Sequence, residues 1–150
     1  MEIRRATAED LAPLSGLFDA YRQFYRQPAA PEVAEAFIAE RLRLADTVLY
    51  VAADGESLLG FVHLFPVFTS TGARPGRLWL LNDLFVQPAG RRRGVARALM
   101  EQATAHARAT GARGLFLQTG RNNLAARTLY ESLGYVRDEA FLVYELGLDD

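Results

Sequence analysis

Cysteine and lysine are both missing from this 150-residue chain. Without cysteine there is no disulfide, no thiolate metal site and no cysteine nucleophile. All permanent side-chain cations are therefore arginines. Charge of one sign is lacking too: the net charge is −1, which gives no global attraction to nucleic acid. No apolar run approaches the roughly 18 residues that a membrane helix needs. Met1-Glu2-Ile3-Arg4-Arg5-Ala6 lacks the apolar segment of a signal peptide. A cytoplasmic protein without membrane or nucleic-acid partners is expected. Histidine occurs twice, at His63 and His106, without ligand spacing, so no metal site is expected and neither ring is assigned a catalytic role. His106 is expected on an exposed helix face and His63 within a strand.

What is present is an ordinary globular composition, 50% hydrophobic, with no internal repeat and no low-complexity linker. One domain spanning 1–150 is expected. Glu2–Ala6 reads as a strand, and Thr7-Ala8-Glu9-Asp10 as a helix N-cap with acids in the first turn. Leu11, Leu14, Leu17, Phe18, Tyr21 and Phe24 recur at helical spacing up to about Tyr25. Pro31 opens a second helix to about Ala45. Thr47–Ala53 and Leu58–Val67 read as a hairpin around Asp54-Gly55-Glu56-Ser57. Thr69–Gly76 reads as a polar loop, and Arg77–Gln87 as a long strand ending at Pro88. Gly94–Thr110 is a helix stopped by Gly111. Gly114–Thr119 is a strand, and Asn123–Leu133 a helix stopped by Gly134. Tyr135–Arg137 and Ala140–Leu146 read as terminal strands around a turn at Asp138-Glu139. Hairpins first and βαβ units later predict an α/β (α+β) fold: a mixed sheet with helices on both faces.

The most informative stretch is Asn82-Asp83-Leu84-Phe85-Val86-Gln87-Pro88-Ala89-Gly90-Arg91-Arg92-Arg93-Gly94-Val95-Ala96. An apolar strand runs into three arginines, and these run into a helix. Cations at a helix N-terminus oppose the macrodipole. A bound polyanion, held by first-turn N–H groups and guanidinium groups, reverses that cost. The stretch asks for a phosphate-bearing ligand.

Arg91-Arg92-Arg93-Gly94-Val95-Ala96 resembles the (Gln/Arg)-x-x-Gly-x-(Gly/Ala) signature of the GCN5-related N-acetyltransferase superfamily. Asn123-Leu124-Ala125-Ala126-Arg127-Thr128-Leu129-Tyr130, followed by Gly134-Tyr135, resembles the same family's Asn-x-x-Ala-x-x-Leu-Tyr helix. Leu81-Asn82-Asp83-Leu84-Phe85-Val86 and Tyr21-Arg22-Gln23-Phe24-Tyr25 are similar to the diamine, polyamine and Hpa-type branch. The resemblance implies an acyl-CoA N-acyltransferase fold with a mixed sheet of six or seven strands. It further implies acetyl-CoA as co-substrate and direct attack by a primary amine in a ternary complex.

On that resemblance, Arg91, Arg92, Arg93, Gly94, Val95 and Ala96 hold the pyrophosphate. The backbone of Leu84, Phe85 and Val86 binds the pantetheine arm and polarises the thioester carbonyl. Tyr130 is the acid for the leaving thiolate. Asn123 meets the pantetheine or caps its own helix. The branch carries a glutamate where this chain has Asn82, which cannot accept a proton as a base. A water held by Asn82, with Asp83 or a carboxylate elsewhere as proton sink, is expected. Strand alternation turns Asp83 to the opposite face unless a bulge re-aims it.

Tyr21, Phe24, Tyr25 and Trp79 offer an aromatic wall for a cationic acceptor, although a stripe at helical spacing equally serves a core. Glu32 and Glu35 are candidates to greet a cation or simply a solvated face. The acceptor expected is a small amine. The alternatives are a protein amine, or a non-catalytic acyl-CoA-binding or sensing domain. Phe141–Leu146 is apolar enough to pair across a homodimer.

Overall fold

The computed structural model describes residues 1–71 and 75–149, so part of the expected 69–76 loop lies outside the described residues. Two compact units divide the chain, Met1–Gln118 and Thr119–Asp150. The first holds a sheet in the order β1 (Glu2–Arg5), β2 (Val48–Asp54), β3 (Ser57–Thr69), β4 (Gly76–Val86), β5 (Gly114–Phe116). β1 to β4 pair antiparallel and β5 joins β4 in parallel, which makes the sheet mixed, as expected.

Three helices cover the two faces of this sheet. α1 (Leu11–Phe24) follows a single 3-10 turn at Ala8–Asp10. The turn is fixed by Asp10, whose carboxylate accepts the Thr7 N–H at 2.8 Å and both Arg4 amino groups at 2.8 Å. α2 (Pro31–Leu44) starts on proline, whose missing N–H costs nothing there, and ends at Ala45 in the left-handed region. Asp19 ties the two helices together: it accepts the Ala30 N–H at 3.0 Å, Arg22 Nη1 at 3.1 Å and Gln23 Nε2 at 3.1 Å. Leu14, Leu17 and Phe18 of α1 and Ala34 and Ile38 of α2 bury against Leu49, Val51, Phe61 and Phe85 of the sheet.

α3 (Val95–Ala109) buries Val95, Leu99, Ala103 and Ala107, a stripe at four-residue spacing, together with Met100. It covers the opposite face. Tyr50, between Leu49 and Val51 in sequence, places its hydroxyl 2.9 Å from His106 Nδ1. His106 is therefore not on the open side of its helix: it flanks the buried stripe, and its ring also meets Trp79. Burial first, then the charges of Arg5 and Arg77, hold its protonation below the ordinary 6.5.

The sheet has five strands among the described residues, not six or seven. β5 is cut to Gly114–Phe116, and Tyr135–Arg137 and Ala140–Leu146 form no strand. Local bonds take over there: the Asp138 carboxylate accepts the N–H groups of Ala140 and Phe141, and Arg137 pairs with Glu139 at 2.7 Å. The second unit holds α4 (Leu124–Ser132).

Candidate active site

Everything at the centre of the first unit follows from one extra residue in β4. His63 of β3 stands opposite Asp83, but the next residue, Leu64, stands opposite Leu81. Asn82 is the inserted residue of a bulge. The insertion breaks the alternation of β4, so Trp79 and Leu81 share one face while Asp83 and Phe85 share the other. Asp83 thus turns toward the α1/α2 side, beside His63 and in line with Phe61 and Phe85.

Asp83 is buried, 6% exposed, and hydrogen-bonded on both carboxylate oxygens. Asn82 Nδ2 lies 3.1 Å from each carboxylate oxygen. His63 Nδ1 lies 3.2 Å from Oδ2. The other ring nitrogen, His63 Nε2, is 2.6 Å from Thr47 Oγ1. Phe37 and Phe65 meet the fully buried His63 ring edge-on. His63 lies within a strand, as expected, but its pairing with Asp83, 20 residues away, follows only from the register, and no sequence signal marks Thr47.

The bulge also marks where β5 lets go. β4 pairs with β5 only at Leu78, Trp79 and Leu80. Beyond the bulge, Leu84, Phe85 and Val86 keep Val62, Phe61 and Gly60 of β3 on one side, with no strand on the other among the described residues. That leaves an open edge of the kind an extended ligand arm can pair with.

The strand then turns through Pro88–Gly90 into the arginine loop. Arg92 (φ +62°) and Gly94 (φ +73°) are both left-handed, which bends the chain sharply before α3. The first helical bond runs from Ala98 N to Gly94 O, so the Val95 and Ala96 N–H groups precede it. Arg91 Nε donates to the Val86 carbonyl at 3.1 Å, and its guanidinium lies 6.0 Å from the centre of the Phe85 ring. Arg93 makes a loose, exposed 3.5 Å pair with Asp54. The loop and the open edge are thus tied together through Val86.

Tyr21, Phe24 and Tyr25 gather at the end of α1. Tyr21 and Phe24 stand 5.8 and 6.3 Å from the Phe85 ring, and Tyr25 packs on both at 5.0 and 5.4 Å. Phe24 and Tyr25 are more than half exposed, so the cluster is half core and half wall. Trp79 does not join it. Its side chain lies on the α3 face, buried, with Nε1 donating to Thr110 Oγ1 at 3.0 Å.

In the second unit, Asn123 caps α4, its Oδ1 accepting the Ala126 N–H at 3.3 Å. Tyr130 lies within α4, its ring 6.1 Å from that of Tyr135.

A bulged central strand, released by its parallel neighbour and running into an arginine-rich helix start, marks the fold of an acyltransferase. The comparisons agree: the model of the acetyltransferase (GNAT) family matches residues 14–135. An uncharacterized N-acetyltransferase of Bacillus subtilis (strain 168), YhfO, is 40% identical over 99% of this chain and 98% of its own. A probable acetyltransferase of Haemophilus influenzae is 30% identical over 99% of both. The crystal structure of a probable acetyltransferase, 39% identical, superposes with a TM-score of 0.91 over 100% of this chain and 99% of that one. The chain belongs to the GNAT family of acetyltransferases and is an acetyl-CoA-dependent N-acetyltransferase.

Proposed function

We propose that the protein moves acetyl from acetyl-CoA to a small primary amine by direct attack in a ternary complex. The observation that carries this reading is the bulge at Asn82. It turns a carboxylate to the aromatic face of the sheet and leaves Leu84–Val86 open beside it. The similarity of Leu81–Val86 and Tyr21–Tyr25 to the diamine, polyamine and Hpa-type branch supports a cationic acceptor against Tyr21, Phe24 and Tyr25.

The roles follow from the chemistry. The pyrophosphate goes to the Arg91–Ala96 loop, whose first-turn N–H groups and arginines suit a polyanion. The pantetheine arm pairs with the Leu84–Val86 edge, and N–H groups of that edge stabilise the tetrahedral oxyanion. The amine loses its proton to Asp83, directly or through a water held by Asn82. The leaving thiolate, with an ordinary pKa of roughly 8.5, takes a proton from Tyr130. Asn123, besides capping α4, is a further pantetheine partner. The cytoplasm is the proposed compartment, and a homodimer the proposed assembly.

Thermal shift with CoA, followed by mass detection of acetylated products across an amine panel, tests the reading. A rise in melting temperature and one or more acetylated small amines are expected. Absence of any shift with CoA would sink the coenzyme assignment. Full turnover of Asp83→Asn between pH 6 and 9 would remove Asp83 as the proton acceptor. Tyr130→Phe should slow transfer by ~10²–10⁴-fold.

A further inference from the structure

A carboxylate that accepts a proton from the substrate has to be aimed, and Asp83 sits among groups that hold it in place. We propose that Thr47 and His63 are positioning residues for acetyl transfer: the Thr47 hydroxyl anchors the far end of the His63 ring, and His63 holds Asp83 as the aimed proton acceptor. The inference rests on the role given to Asp83 above.

The argument runs along three contacts. With Asp83 ionised, His63 Nδ1 must carry the ring proton, because a bare nitrogen facing a carboxylate at 3.2 Å would repel it. Nε2 then has only a lone pair. Buried without a donor, that lone pair would cost the desolvation of a polar atom. Thr47 supplies the donor at 2.6 Å. The alternative tautomer would set a bare nitrogen against the carboxylate, so Asp83 selects the tautomer and the Thr47 hydroxyl anchors the other end of the ring.

The surroundings leave the anchor few competitors. The rings of Phe37 from α2 and Phe65 from β3 pack on His63 and offer it no proton. Among the described residues, the charged group in contact with the ring is Asp83, and the Asn82 amide is a second donor to its carboxylate. Thr47 itself is half-buried and lines a small cavity of about 90 Å³ with Arg5, Arg41 and Leu49. Arg41 is neutralised there by Asp46 at 2.7 Å and Glu40 at 3.5 Å, and Arg5 adds positive charge at the rim.

The arrangement is not a core accident of the kind that packing alone explains. A histidine with no exposure carries two polar nitrogens that cost free energy to bury unless each has a partner. Its two polar atoms are both satisfied, and one of them serves the only buried acid on β4.

Thr47→Val tests the anchor, with Thr47→Ser as the rescue. Valine should free the far end of the ring, weaken the His63 bond to the carboxylate and move the acid limb of the kcat profile about one unit to higher pH. On that limb kcat should fall roughly tenfold, below the full ~10²–10⁴ of a lost base. KM for acetyl-CoA should stay within twofold, and Thr47→Ser should restore the profile. A wild-type profile for Thr47→Val would overturn the proposal. A second readout needs no turnover. With only two histidines, nitrogen-15 spectra of the rings at pH 7, assigned with His106→Gln, should show His63 protonated on Nδ1. A bare Nδ1 would overturn the proposal even in an active enzyme. Full turnover of Asp83→Asn would instead strike the role of Asp83, and the proposal would fall with it.

Discussion

Gly60→Ala tests the close approach of β3 to the open edge of β4. Gly60 stands opposite Val86. A Cβ built on Gly60 would lie 2.6 Å from the Phe85 carbonyl oxygen and 3.2 Å from Val86 Cα and Cγ2. Ordinary contact starts at 3.4 Å, so the strands must part by 3.4 − 2.6 = 0.8 Å. The atom in the way is backbone within the ladder and cannot swing aside. Overpacking of this kind costs about 1–3 kcal/mol. The φ of Gly60 is not in the left-handed region, so alanine also restricts the unfolded chain and returns roughly 0.4–1 kcal/mol. The net loss of about 1–2 kcal/mol should lower the melting temperature by roughly 2–8 °C. The functional effect should be larger. A displacement approaching 1 Å at a site that positions reactants can cost up to ~10²-fold in rate, so kcat/KM for acetyl-CoA should fall by ten to a hundred times. Gly16→Ala is the control: Gly16 lies inside α1 with nothing within 4 Å of its added Cβ, and should gain stability. Scanning calorimetry and initial rates read both. A Gly60→Ala protein with wild-type melting and wild-type kinetics would refute the strand approach, and with it the geometry given to the edge.

Three further outcomes concern stability. Arg4, chiefly through its hydrogen bonds, holds the Asp10 carboxyl below its ordinary 3.8. A lowered folded value stabilises at pH above 3.8 and is lost as pH falls through the folded value. Asp10→Asn should therefore cost about 2 kcal/mol at pH 7, with the gap to wild type closing in acid melts. Ala45 ends α2 with φ +50°, and Ala45→Gly should gain roughly 0.5–1 kcal/mol in denaturant titration, the left-handed strain less the entropy of glycine. His106 is held below its ordinary 6.5, so the unfolded chain binds the extra proton first and stability falls as pH drops through 6.5. His106→Gln should flatten that fall in melts between pH 7.5 and 5.5.

The elements that local chemistry dictates were legible in the sequence. The apolar stripe of α1, proline at the start of α2 and the Asp54–Ser57 turn each act over a few residues, and each stands within a few residues of its expected place. The same holds for the arginine loop ahead of α3. What was not legible depends on pairing. Nothing in Leu81-Asn82-Asp83-Leu84 marks a bulge, since alternation reads equally well through it. The partners of Asp83, the side of the sheet that takes Trp79 and the inward turn of His106 all follow from register. Asp19 was passed over because its partner, the Ala30 N–H, lies 11 residues on. Terminal strands were expected from apolar content alone, where the Asp138 carboxylate instead captures the local N–H groups.

The bulge explains why an asparagine suits position 82 beside Asp83. Without the inserted residue, alternation from Trp79 and Leu81 would put Asp83 on the α3 face, against a helix whose buried stripe is Val95, Leu99, Met100 and Ala103. A carboxylate there would be buried with no donor, at a cost that drives such groups to neutrality. With the insertion, the same carboxylate reaches His63 on one side and the Asn82 amide on the other. Asn82 thus donates to the acid its neighbour presents. A glutamate at position 82 would set a second negative charge against Asp83 and give up the amide donor. Asparagine and aspartate at 82 and 83 are best understood as one unit, and Asn82→Glu should disrupt the site that a position-by-position likeness would expect it to repair.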